Sequence, residues 1–335
     1  MRKFVMNLSF WMLSLNSYAH PYTENSDYSR CRPNITFVMK ASNEGITDQY
    51  YQLATDYYSS QQEGLDFIIV DTCSSILSIR NHLYNGLPHG SEGWGKVNIV
   101  AHGNPWTGLS IPILIGGKRT TVDGLIEAIT LGTLAPLPDH IIDRQTAIDL
   151  KACGLGTNKE WLEAFQFALG GFDDHRPEVL SSEDFIQYGH SSSGTITMTE
   201  LRPYYAFYKT AYKPSDLHLA KQLTKRYPEV DIDWLGAMRK KMSIDSEPFH
   251  DRFNVPIEWY VPIVDDTKMA DLSDESHKTS FVKQQVGLMG IIEQYDIPIE
   301  KFRWTLSTQH KDGQEYILIK GKATVLCILQ QSSNH

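Results

Sequence analysis

Four apolar runs end in polar or glycine residues along the first half of the chain, and an amphipathic stretch follows each one. "NITFVMK" (34–40) is β-branched and aromatic enough for a first strand. "ITDQYYQLATDYYSSQQEG" follows it with Tyr50, Leu53, Ala54 and Tyr57 at helical spacing, and Gly64 closes it. "LDFIIVDTC" is a continuous apolar run of the kind a strand needs when both its faces are covered. "SSILSIRNHLYNG" then predicts a helix capped by Ser74 or Ser75 and stopped at Gly86. "KVNIVAHG" is a third strand, "TTVDGLIEAITLG" a helix, "TAIDLKACGLG" a strand and "NKEWLEAFQFALGG" a helix. Parallel neighbours cannot be joined by tight hairpins and need crossovers, so this alternation predicts an α/β fold: a mostly parallel sheet in three layers, with helices on both faces.

From Ser181 the pattern changes. "EDFIQYG" predicts one more strand, "SSSGTITMTELRP" is small, polar and β-branched, and "YYAFYKTAYKP" reads as an aromatic-rich link ending near Pro214. Beyond it the sequence predicts helices in "SDLHLAKQLTKRYPEVDIDWLGAMRKK" and a proline-punctuated edge strand in "VPIEWYVPIV". A charged loop, "DDTKMADLSDESHKTS", comes next, and a hairpin turns at Asp312-Gly313. The main domain is therefore expected over 34–213, and a smaller α+β C-terminal domain of unknown role over 214–335; a non-catalytic periplasmic or surface protein that binds a partner through this domain stays open as an alternative function.

The N-terminus, with Arg2 and Lys3, an apolar stretch from Phe4 to Leu15 and the small residues Ser17 and Ala19, has the pattern of a signal peptide over 1–19. A polar leader follows over 20–33, and the protein is expected to be exported, to the periplasm or outside the cell. No later window holds the roughly 20 apolar residues of a membrane span. The net charge of -9, with no long basic run, argues against nucleic acid as a partner. Cys31, Cys73, Cys153 and Cys327 allow two disulfides in any of three pairings, or one bridge and two free thiols.

Ligands gather beyond the carboxyl ends of strands in an open α/β sheet, where the loops form a crevice. Two reactive residues stand at such ends: His102 after "VNIVA" and Cys153 after "AIDLKA". If those strands are neighbours, imidazole and thiol share one rim, and the imidazole can polarise the thiol or protonate a leaving amine. Gly103 has no Cβ, so its N–H can approach a substrate carbonyl; with the N–H of Cys153 it could stabilise an oxyanion.

A strand ending in His-Gly, followed 51 positions after the histidine by a strand ending in Ala-Cys, resembles the caspase-fold cysteine peptidases: caspases, gingipains, clostripain and the bacterial CHAT domains. "ACGLG" is most similar to the CHAT-type Ala-Cys-x-x-Gly pattern, through Ala152, Cys153 and Gly156. The resemblance covers about residues 34 to 190 and implies a cysteine endopeptidase, or an inactive homologue, that takes a protein or peptide and needs no cofactor or metal. It implies Cys153 as nucleophile, His102 as general acid/base and the N–H groups of Gly103 and Cys153 as oxyanion hole. Lys151 and Leu155 break the caspase Gln-Ala-Cys-x-Gly signature, so preference for aspartate is not implied. Lys40, Asp71, Asp173 and Asp174 are substrate-pocket candidates by location only.

Two other chemistries have weaker signals. "HGNPWTG" is similar to the oxyanion loop of α/β-hydrolases and "FIQYGHSSSG" to a nucleophile elbow, which would make Ser191 the nucleophile of a serine esterase or lipase. The default for that Ser/Gly stretch is a plain loop. "GFDDHRPE" offers Asp173, Asp174 and His175 to a cation, although that composition is usually a solvated turn. His89-Gly90 follows no apolar strand, and "LIGGKRTT", with Lys118 and Thr120, lacks phosphate-loop spacing.

Overall fold

The computed structural model describes residues 32–39, 48–61, 67–171, 176–240, 248–263, 274–311 and 313–332. The proposed signal peptide, most of the leader, Cys31, Lys40, Asp173, Asp174, His175 and Asp312 lie outside them.

The first half builds strands β1 (Asn34–Val38), β2 (Phe67–Val70) and β3 (Lys96–Val100), the short β4 (Gly103–Asn104), β5 (Gly108–Pro112) and β6 (Arg119–Thr120), then β7 (Ala147–Lys151) and β8 (Glu178–Ser181). Helices α1 (Gln49–Ser60), α2 (Ile76–Gly86), α3 (Val122–Thr130) and α4 (Lys159–Gly170) alternate with them. Five strands form one wholly parallel sheet in the order β2-β1-β3-β7-β8. The chain grows outward from β1 to β2, then crosses to β3 on the other side, so the direction of winding reverses between β1 and β3. A crevice opens at such a reversal, because the loops leaving the two strands diverge.

The continuous apolar runs sit in the interior as their composition requires: Ile35, Phe37, Val97, Ile99 and Val100 have no exposed surface. Helix α2 starts on a capping box, Ser75 with Ser78, and α4 on the Asn158 side chain, which accepts from the Trp161 N–H. β7 alternates instead. Ile148 and Leu150 are fully buried, while Asp149 and Lys151 on the opposite face pair at 2.8 Å and Lys96 adds a second cation 3.2 Å from Asp149. Mutual neutralisation is what lets two charges occupy an inner strand.

The second half adds β9 (Phe185–His190), β10 (Ile196–Lys209), α5 (Asp216–Arg226), α6 (Trp234–Arg239), β11 (Phe249–Pro262), α7 (Glu275–Lys283), α8 (Val286–Gln294), β12 (Arg303–Lys311) and β13 (Gln314–Gln331). They form an antiparallel sheet in the order β11-β13-β10-β9, with β12 also paired to β13. β11 stands at the edge, where its prolines lose no ladder bonds.

Two expectations need correction. The boundary near Pro214 falls inside this unit, because β9 and β10 hydrogen-bond within the second sheet; the sheet begins at Phe185. The aromatic "YYAFYK" is no link. It is the end of β10, and its period of two feeds two cores: Tyr204, Ala206 and Tyr208 face α5 and α6, while Phe207 joins the core built with α7 and α8. The last six residues of the predicted charged loop, 275–280, are helical and form the greater part of α7.

Trp106, in the loop between β4 and β5, ties the two sheets together. It lies 5.0 Å from the Tyr205 ring and 5.5 Å from that of Phe253, and its Nε1 donates to the Tyr295 carbonyl at 2.8 Å. Among the described residues no helix is long and apolar enough to cross a membrane.

Candidate active site

β3 and β7 are direct neighbours, with Val100 opposite Lys151, and the Ala101 N–H extends the ladder to the Lys151 carbonyl at 3.2 Å. His102 and Cys153 therefore leave the sheet at matched positions on the same rim, beside the reversal point. Fully buried Ala101 and Ala152 hold the last turn of each strand in the core.

Gly103 sits against Ala152: an added Cβ would lie 3.2 Å from the alanine methyl and 3.4 Å from the Gly108 carbonyl. Ser110 donates its N–H to the His102 carbonyl at 2.7 Å. Bonded and non-bonded pairs alternate along an antiparallel ladder, which makes Gly103 and Leu109 the non-bonded pair and turns the Gly103 N–H away from β5.

His102 is held by three residues at the start of α1. Its Nε2 lies 2.6 Å from Oδ2 of Asp48, its ring packs 4.5 Å from Tyr50 and 4.9 Å from Tyr51, and its N–H donates to the Tyr51 hydroxyl at 3.1 Å. The carboxylate can only accept, so Nε2 is the protonated nitrogen of that pair, and the neutral form of the ring has its lone pair on Nδ1. Asp48 also caps α1, its Oδ1 accepting the Tyr50 N–H at 3.0 Å. With the His102 side chain 42% exposed and that of Asp48 28%, the pair is reachable from solvent.

Cys153 is only partly exposed. Its S–H donates to the Ile186 carbonyl of β9 at 3.7 Å, and it packs against Phe185, Leu201, Phe249, Cys327 and Leu329 of the second sheet. Burial, with the Asp251 charge adding to it, pushes the thiol from 9.0 up to about 11. Asp251 stands opposite Cys327, which stands opposite Tyr205, so all three share the face that covers the thiol. Tyr50 bridges the two strand ends by donating its hydroxyl to the Lys151 carbonyl at 3.4 Å. Burial, then the nearby Cys153, raises Tyr50 well above the usual phenol value.

A thiol held protonated to about 11 is a slow nucleophile at neutral pH. Alkylation of Cys153 by iodoacetamide, followed by peptide mapping, is expected to accelerate about 100-fold between pH 7 and pH 9. A plateau beginning near neutrality would reveal a preformed imidazolium–thiolate pair instead. Stability follows the same proton. The folded chain keeps it until about 11 whereas the unfolded chain releases it near 9.0, so this contribution is complete below the lower value and is lost as pH climbs through the higher.

The remaining candidates scatter. Asp71 is exposed beyond β2, with β1 and β3 between it and β7. Ser191 does not sit on a strand-to-helix elbow: it opens a tight hairpin between β9 and β10, its N–H donating to the Thr195 carbonyl at 2.8 Å and its hydroxyl against Ser193, and a strand follows where the elbow needs a helix. The elbow on which the serine-hydrolase alternative rested is therefore absent at Ser191. Thr120 is fully buried and donates to the Ile111 carbonyl. Cys73, Cys153 and Cys327 carry free thiols.

Asp48 carries no mark of a functional residue in the sequence. An aspartate directly before the periodic "QYYQLATDYY" signals a helix cap, but only the fold aims its other oxygen at His102. Comparison of the chain with protein families, with curated proteins and with solved structures finds no match.

Proposed function

We propose that this chain is an exported cysteine endopeptidase of the caspase-like kind, with Cys153 as nucleophile, His102 as general base and acid, and Asp48 orienting the imidazole. The observation that carries the reading is the matched exit of His102 and Cys153 from neighbouring parallel strands, with a carboxylate on the far nitrogen of the histidine. The raised thiol suits a reaction that starts from neutral sulfur.

As Sγ attacks the peptide carbonyl carbon, Nδ1 of His102 takes the thiol proton, and the carbonyl π electrons move to oxygen. The N–H groups of Gly103 and Cys153 receive that oxyanion, a contribution of about 3 kcal/mol per donor where such donors have been removed. Collapse breaks the C–N bond, and the imidazolium protonates the departing amine. Water, deprotonated by His102, then cleaves the thioester and restores the thiol. Asp48 holds the tautomer that can act as base and stabilises the imidazolium between the two transfers.

A second reading, a catalytically silent relative, is favoured by the Cys153 thiol resting on the Ile186 carbonyl inside an apolar cluster. Labelling with a peptidyl acyloxymethyl ketone separates the two. The peptidase reading expects modification at Cys153 of the mature protein, lost in Cys153→Ala and strongly reduced in His102→Ala. Labelling that ignores His102→Ala would leave only an ordinary thiol and the silent relative.

A further inference from the structure

We propose that the exposed end of the second sheet, on the face that carries α5 and α6 further along, holds a binding site for a phosphate-sized oxyanion, gripped between Arg303 and Lys322. The site shares no residue with the surroundings of Cys153 and does not depend on the peptidase reading.

Arg303 of β12 stands directly opposite Lys322 of β13, and Pro256 of β11 completes that row. Directly opposed residues have Cβ atoms about 5 Å apart, and two like charges there repel. Both side chains are exposed, and among the described residues neither takes part in an ion pair. The next row on the same face reads Glu258, Lys320, Thr305. Its carboxylate is already committed to Lys320, 3.0 Å away. A third row, Asn254, Thr324 and Tyr208, has no charge.

The side chains of the first two rows line a cavity of about 360 Å³ that also takes in Thr210 and Gly321. In a chain of net charge -9, three cations against one spoken-for carboxylate make a local field of opposite sign. The floor is rigid, because the fully buried Trp304 fills the space under Gly321 and the ladder fixes the three strands. Thr210 and Thr305 place hydroxyls at the rim, anchored on the Lys322 and Lys320 carbonyls at 3.3 and 3.4 Å. An anion seated between Arg303 and Lys322 turns their repulsion into attraction; the guanidinium fork offers two parallel donors and the ammonium a third. A tetrahedral oxyanion fits that donor set and a cavity far smaller than a polymer needs.

The test is thermal unfolding of the full chain in sodium phosphate against sodium chloride at equal ionic strength. Phosphate is expected to raise the midpoint by at least about 2 °C. The double variant Arg303→Gln/Lys322→Gln is expected to lose that response while melting in chloride at least as high as the parent, since its repulsion is gone. Lys221→Gln, an exposed lysine on α5, keeps the response. Cosedimentation with phosphatidylglycerol vesicles identifies the source of the phosphate: retention of the parent but not of the double variant supports the same site with a lipid-borne headgroup. No phosphate response, or an equal response in parent and double variant, overturns the proposal.

Discussion

On the proposed peptidase mechanism, Cys153→Ala is expected to reduce peptide hydrolysis by at least about a thousandfold, because no other group in the matched pair of strand ends can form the acyl intermediate. His102→Ala should fall nearly as far: with the thiol held protonated to about 11, nothing else at the rim is placed to take its proton at neutral pH. Asp48→Asn should be milder, about ten- to a hundredfold in kcat with little change in KM. An amide there can still cap α1 but can present its N–H to Nε2 and so favour the wrong tautomer. Activity against a quenched fluorescent peptide library orders the three variants. Equal, undiminished turnover in all of them would sink the dyad.

Gly108→Ala should be the most damaging small change to stability, at about 3–5 kcal/mol and a melting midpoint lower by about 10 °C. Gly108 has φ +69°, and an added Cβ would collide with the Thr120 carbonyl and the Trp161 indole nitrogen. Those two atoms form a buried hydrogen bond of 3.0 Å, and Trp161 is fully enclosed, so neither can retreat. The same turn reaches the site, because β5 grips His102 through the Ser110 N–H. Gly116→Ala is the natural comparison. Its φ of +78° is equally unfavourable, but nothing lies within 4 Å of the new methyl, so only about 1–2 kcal/mol of backbone strain is expected. Calorimetry on the two variants separates the clash from the strain.

The parallel sheet is legible in the chain because its causes are local. Long apolar runs in β1 and β3 need cover on both faces, and each amphipathic stretch between strands carries its own cap, as Ser75 and Asn158 show. His102 and Cys153 stand out as strand ends for the same reason: the runs before them stop there. Where local pattern allows two answers, the fold alone chooses between them. The aromatic stretch 204–208 has a period of two, but with both faces apolar it resembles a link until two separate cores claim its two sides. The Ser191 stretch likewise matches an elbow in letters, although the β-branched residues after it commit the chain to a hairpin.

What the sequence determined alone was therefore the alternating strands and helices of the first half, and which reactive side chains stand where those strands end. Tertiary structure decided the rest. It set β3 beside β7, turned the second oxygen of Asp48 onto His102 across 54 residues of chain, and laid the face bearing Cys327 and Asp251 over the Cys153 thiol. Secondary structure answers to neighbours a few residues apart, whereas proton affinity and reach answer to whatever the completed fold packs against a side chain, and that surrounding is assembled from segments far apart in the chain.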